Sequence, residues 1–174
     1  MISMGLKKEG NIVLVIGKTE GHLDQSIFAR EIFSEKKGPP PEINLFNEKN
    51  NGLAVIKLIN KKLIESCHDI SLGGILIAIS KMCLKGNKGV KMNKPKYLIN
   101  TYEYLFGEDQ GRYLIEVSKN KLKKVEELLD ENSIHYELLG YVSEEKIEFS
   151  EKSNISIDEL KKSNKQWLKQ YMVN

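Results

Sequence analysis

The sequence predicts an α+β domain, a mixed sheet packed with helices, on three observations. Runs of strand length that are apolar or alternating recur at residues 11–16 (NIVLVI), 64–69, Arg112–Val117 (RYLIEV) and 134–142. Stretches with apolar residues at helical spacing stand between them. The connections from strand to strand are of unequal kind, which disfavours a regular alternating α/β winding.

Taken in order, residues 11–16 read as a buried strand closed by Gly17. Residues 17–26 (GKTEGHLDQS) are rich in turn formers, and Asp24 and Ser26 are candidate caps for the amphipathic helix Ile27–Phe33. The run Pro39, Pro40, Pro41 cannot continue a helix and predicts a stiff extended segment. Asn44 is placed to cap a long helix to about Lys62, with Leu53, Ile56, Ile59 and Leu63 sharing a face that reads as core. A short strand over 64–69 runs into Ser71, Gly73 and Gly74, then a helix over 75–84 with Ile75, Ile79, Met82 and Cys83 as its buried stripe. Gly86 and Gly89 end that helix before a weak strand around Val90.

Residues 97–106 read as a helix, and 107–111 (GEDQG) as a loop leading into the strand Arg112–Val117. The spacing of Leu122, Val125 and Leu128 predicts a helix over 121–132. Residues 134–142 are the next strand, and 146–149 are expected to pair with it as a hairpin. Ser156 with Glu159 makes a capping box for a terminal helix that lays Leu160, Asn164, Trp167 and Tyr171 along one side.

With 174 residues, 40% hydrophobic and 29% charged, the expectation is one domain, 1–174, with a sizeable core. The net charge of +3 comes from 27 basic and 24 acidic residues, and the only arginines are Arg30 and Arg112, neither in a basic and aromatic cluster. Nucleic acid is therefore not an expected partner. No apolar run approaches the roughly 18 residues of a membrane span, and the opening MISMGLKKEG lacks a secretory core, so a cytoplasmic protein without a membrane partner is expected. Cys67 and Cys83 form no C-x-x-C pair and have no zinc-spaced companions, which predicts reduced thiols and no metal.

Two segments carry candidate chemistry. In residues 67–75 (CHDISLGGI) a strand stops, passes two glycines and opens a helix, leaving backbone N–H groups that suit an anion such as phosphate. The alternative is that Gly73 and Gly74 let the helix pack closely, with Asp69 and Ser71 as caps. Cys67, His68 and Asp69 invite a nucleophile, base and orienter reading, but neighbouring strand side chains alternate between faces and do not converge on one substrate atom. In residues 107–112 (GEDQGR), Glu108, Asp109 and Gln110 could meet hydroxyl or amide groups and Arg112 a phosphate. A polar turn with a local ion pair is the other reading.

In order, IGKTEGHLDQS, CHDISLGGI, LFGEDQGRYLIEV and the closing WLKQYM, the chain resembles the C-terminal end of the synthetase subunit in the phosphoribosylformylglycinamidine synthase family, in its small bacterial form. Aminoimidazole ribonucleotide synthase, selenophosphate synthetase, thiamine-phosphate kinase and hydrogenase maturation proteins share the domain type but not the LFGEDQGR loop as closely. The resemblance implies an ATP-dependent ligase that turns formylglycinamide ribonucleotide and glutamine-derived ammonia into the amidine. ATP and Mg2+ are implied for the full-length enzyme, with no catalytic or metal-binding residue in this portion. Implied partners are upstream nucleotide-binding domains of the same subunit, a glutaminase subunit and a small bridging subunit; an exposed interface could also support a homodimer. His68, Asp69, Ser71, Gly73 and Gly74 fall on the family's turn, and Glu108, Asp109, Gln110 and Arg112 on the counterpart of a substrate loop. Two departures stand out: Leu72 where the family usually has Asp, and LDQS at 23–26 where it has an L-G-x-S turn. A structural or interdomain role, or the same domain taken from a related ATP-using enzyme, are the competing readings.

Overall fold

A computed structural model describes residues 2–95, 97, 99–150 and 153–173, with the side chains of 150, 167–170 and 173 outside the description. One seven-stranded sheet runs through it in the order β2-β4-β1-β5-β3-β6-β7. The strands are β1 (Ile12–Ile16), β2 (Ser66–Ile70), β3 (Gly89–Met92), β4 (Arg112–Val117), β5 (Tyr136–Ser143), β6 (Lys146–Ser150) and β7 (Ser153–Ser156). The helices are α1 (Ile27–Phe33), α2 (Leu45–Asn60), α3 (Gly74–Gly86), α4 (Thr101–Phe106), α5 (Leu122–Glu131) and α6 (Ile157–Val173). All pairings are antiparallel except β3 with β6, so the sheet is mixed, as the α+β reading expects.

Alternation along the strands divides the core into two layers. Val13, Val15, Leu114, Leu139, Val90 and Ile147 face α3, α4 and the start of α6. Ile12, Leu14, Ile16, Ile115 and Val117 face α2 and α5. The stripe expected on α3 is all there: Ile75, Ile79, Met82 and Cys83 are fully buried.

Several expectations need correction. α2 does not bury Leu53 and Ile56; its inner side is Asn51, Ala54, Val55 and Leu58, while Leu53 and Ile56 are exposed. Residues 146–149 do not form a hairpin with β5. β6 pairs with β3, in parallel, and with β7. The linking Glu144-Glu145 has no Gly or Asn to adopt the positive φ of a tight hairpin turn, and the chain crosses over instead. β7, short and polar, carries no alternation that predicted it. The helix read over 97–106 is only Thr101–Phe106, started by Asn100 in a capping box with Glu103. The capping box of α6 is present, with Glu159 N–H donating to Ser156 Oγ at 3.1 Å and Ser156 N–H to the Glu159 carboxylate at 2.9 Å. Along α6 Leu160 packs on the core, Asn164 and Tyr171 are exposed, and the Trp167 side chain lies outside the described residues.

The register places the loops of interest together. Ile16 stands opposite both Tyr113 and Tyr136, and Ile70 opposite Arg112. The segments that leave β1 and β2 and those that enter β4 and β5 therefore share one end of the sheet.

Candidate functional site

At that end three segments singled out in the sequence are stitched into one body. The Glu108 carboxylate accepts the N–H of Gly73 and the N–H of Ile27, the first residue of α1, each at 2.8 Å. Asp109 accepts three consecutive backbone N–H groups, from Glu20, Gly21 and His22, at 3.1, 3.0 and 3.0 Å. Arg112 is fully buried and donates to the Asp109 carbonyl, to Thr19 Oγ1 and to the Gly107 carbonyl at 3.2, 3.1 and 2.6 Å. Burial pulls its guanidinium below its ordinary pKa, and the nearby Asp109 and Glu137 oppose that pull. Thr19 Oγ1 passes the chain on to the Glu137 carboxylate at 3.2 Å.

The glycine turn is shaped by contact. Gly73 and Gly74 sit at φ +83° and +66°, and a side chain at Gly74 would come within 2.7 Å of the Gly107 carbonyl oxygen. Neither Asp69 nor Ser71 caps α3: the cap position is Gly73, without a side-chain bond, and the Gly74 N–H donates to the Ser71 carbonyl at 3.0 Å. Close packing shapes the turn where an external anion was one expectation, and Glu108 and the Ser71 carbonyl already accept the Gly73 and Gly74 N–H groups.

His68 and Asp69 meet, with Nδ1 3.1 Å from the Asp69 carboxylate, although strand alternation predicted opposite faces. The contact is made at the strand end, where Asp69 is largely exposed. Cys67 packs with the layer under α2 and α5, and burial pushes its thiol up to about 12, so no activated nucleophile joins the pair. The His68 Nε2 is buried with no hydrogen-bond partner among the described residues.

Beside this brace lies a cleft of about 1000 Å³, open between residues 17–24, the start of α2 and the 132–135 turn. Of the candidate residues only Asp109 and Gln110 line it. His22, His135, Asn44, Asn47 and Asn51 share its wall; the sequence marks Asn44 only as a helix cap and His22 and His135 as histidines without metal partners, and it does not single out Asn47 or Asn51. Glu20, Asp24, Glu42, Glu48, Glu103 and Asp109 set six carboxylates there against Lys18 alone, a balance that suits neither a bare triphosphate nor a phosphate group. No group of three or more His, Cys, Asp or Glu side chains suited to a metal occurs among the described residues.

Residues 8–152 match the family described as AIR synthase related protein, C-terminal domain. The chain belongs to that family. A phosphoribosylformylglycinamidine synthase subunit PurL of Pelagibacter ubique is 61% identical over all 174 residues, which span 24% of that relative. The PurL of Bartonella bacilliformis is 35% identical over the same 174 residues, again 24% of its length. The chain thus covers about a quarter of the curated relatives it matches. Among solved structures, T. maritima PurL complexed with FGAR superposes with a TM-score of 0.76 at 19% identity, over 92% of this chain and 29% of that one. E. coli HypE, a hydrogenase maturation protein, superposes with a TM-score of 0.61 at 13% identity, over 90% of this chain and 51% of that one. Both structural matches speak to the fold.

The two departures noted in this AIR synthase related domain have local compensation. Leu72 is exposed and meets no requirement for an acceptor, because Glu108 already serves the Gly73 N–H. Asp24 stands where the L-G-x-S turn has its glycine, and the left-handed position falls one residue later, at Gln25 with φ +60°, whose amide donates to the carbonyls of Lys36 and Gly38 at 3.2 and 2.9 Å. Ser26, not Asp24, caps α1, accepting the Ala29 N–H at 3.1 Å.

Proposed function

We propose that this chain is the closing domain, residues 1–174, of a cytoplasmic synthetase subunit that makes the amidine of formylglycinamide ribonucleotide in purine biosynthesis. The observation that carries this is 61% identity, without interruption of coverage, to a PurL subunit. ATP and Mg2+ belong, in this reading, to the larger remainder of the subunit; a solved T. maritima PurL is described as complexed with ATP. A glutaminase subunit supplies the ammonia and a small subunit bridges the two, a reading supported by the existence of a T. maritima PurLQS structure. No helix among the described residues is long and apolar enough to cross a membrane.

Within that subunit, His68, Asp69, Ser71, Gly73, Gly74, Glu108 and Arg112 hold the end of the sheet in shape, and Asp109 and Gln110 present polar groups to the cleft. Support comes from the internal bonds of Glu108, Asp109 and Arg112, which leave those groups little capacity for a ligand. Two measurements test the reading. The isolated chain should form no amidine from ATP, ammonium and formylglycinamide ribonucleotide. A chimera in which it replaces the matching quarter of the Pelagibacter subunit should form it. Activity of the isolated chain, or an inactive folded chimera, would overturn the proposal.

A further inference from the structure

Helix α2 is apolar on two opposite sides. Ala54, Val55 and Leu58 form its inner side and are core. Leu45, Phe46, Leu53 and Ile56 are exposed by 74, 74, 46 and 53%. At 3.6 residues per turn these four fall within about 50° of the direction opposite the buried side, in a stripe roughly 16 Å long. A helix that is apolar all round is one that is covered on both faces, and a stripe of this kind on a soluble domain marks a protein contact.

We propose that the outer face of α2 docks against the part of the subunit polypeptide that lies outside this chain, on an apolar surface that carries a carboxylate. The inference rests on the functional reading above. About three quarters of the 61% identical relative lies beyond the match, so a large covalently linked partner is on hand. Charge decides against a second copy. Lys49 sits in the middle of the stripe, exposed and with no ion pair among the described residues, and the stripe itself contains no carboxylate. Self-pairing would bury two ammonium groups without a counter-charge, a costly arrangement, whereas a different surface can bring the carboxylate. Phe46 also lines the cleft, so the docked segment would close one of its walls.

The test is the maleimide labelling rate of a Leu53→Cys thiol, read by peptide mass spectrometry in the 174-residue chain and in the full-length chimera. Cys83 is buried and Cys67 partly buried, both thiols are pushed up to about 12, and the peptide readout separates them from position 53. Labelling should be at least about tenfold slower in the chimera, and adding Lys49→Glu there should restore much of the rate. Equal rates in chain and chimera overturn the proposal, as does a slow rate in the isolated chain accompanied by a dimer in light scattering. An unaltered rate on adding Lys49→Glu overturns the carboxylate. Independently of any chimera, Leu53→Glu with Ile56→Glu should leave the unfolding temperature of the isolated chain unchanged and raise its solubility. A fall typical of a core substitution overturns the proposal. Amidine formation is read on the same chimera: protection without activity counts against the functional reading alone, and activity without protection against this surface alone.

Discussion

The carboxylate of Glu108 accepts the backbone N–H of Gly73 at 2.8 Å, at the turn before α3. The same oxygen serves Ile27 at the start of α1. One side chain thereby fixes two chain segments 35 and 81 residues away in sequence.

Removing it should cost more than an ordinary surface change. Glu108→Ala leaves a buried N–H without an acceptor and two helix starts without their carboxylate, a loss of about 2–4 kcal/mol. Glu108→Gln keeps an acceptor oxygen and should cost about 1 kcal/mol. Denaturant unfolding of the three proteins checks both; an Ala variant as stable as the parent would mean that the turn holds itself.

Arg112 makes a second test of the same brace. Its planar fork reaches Thr19 and the Gly107 carbonyl at once, and its stem is buried. Arg112→Lys keeps the charge but loses that geometry, for an expected loss of about 2 kcal/mol. Arg112→Ala strands Asp109 with reduced compensation and should lose about 3–5 kcal/mol. Equal losses for the two variants would show that the fork geometry alone matters and the retained charge contributes nothing; no loss for Arg112→Lys would show the reverse.

Two glycines should respond in opposite directions. Gly74→Ala places a methyl 2.7 Å from backbone atoms of Phe106 and Gly107 at φ +66°, where nothing can yield cheaply. The expected loss is more than about 2 kcal/mol. Gly52 lies inside α2, where a methyl would meet only the Tyr113 hydroxyl at 3.4 Å. Gly52→Ala should raise stability by about 0.5–1 kcal/mol through helix propensity. Thermal melts of both variants settle the pair.

The sequence was most legible where local pattern and burial agree. Arg112–Val117 and Ile27–Phe33 match their expected bounds, and all four residues expected on the stripe of α3 are buried, with Ala78 beside them, because period and tertiary packing favour the same faces. α2 misled because it carries two apolar faces, and periodicity cannot say which of them meets the sheet. The hairpin expected at 146–149 failed because strand pairing beyond the nearest neighbour leaves no local trace. At the site, the motifs GKTEGHLDQS, CHDISLGGI and GEDQGR were visible, yet the bonds that join them span 35 to 93 residues. Glu116 is a similar case. It sits in the middle of an apolar strand and accepts from the Lys7 and Lys8 N–H groups, Asn11 and Ser66. A charge at a buried strand position was the available signal, and its partners were not readable.

Cys67 and Cys83 should be chemically quiet in the folded chain. Burial raises both thiols to about 12. At pH 8 the thiolate fraction is then about one part in ten thousand, and thiolate is the reacting form. A disulfide reagent should modify neither cysteine of the native protein within minutes and both in guanidinium chloride. Fast native modification of Cys67, on the sheet-edge strand β2, would reveal local opening there.

Glu137 should leave a signature in the pH dependence of stability. Burial raises its carboxyl pKa above the ordinary value, against the smaller opposing pulls of the Thr19 hydroxyl, His135 and Arg112. The folded state therefore keeps this proton to higher pH than the unfolded chain does. The group's contribution is fully present below the unfolded carboxylate pKa of about 4.3 and is lost as pH rises through the folded value. Glu137→Gln keeps an oxygen to accept from Thr19 and removes the titration. Relative to the parent, the variant should gain stability as pH rises above the unfolded carboxylate value of about 4.3, until the folded value is passed. Denaturant midpoints for both proteins across that range give the comparison, and a difference that stays flat, or runs the other way, would place the charged carboxylate in a favourable setting instead.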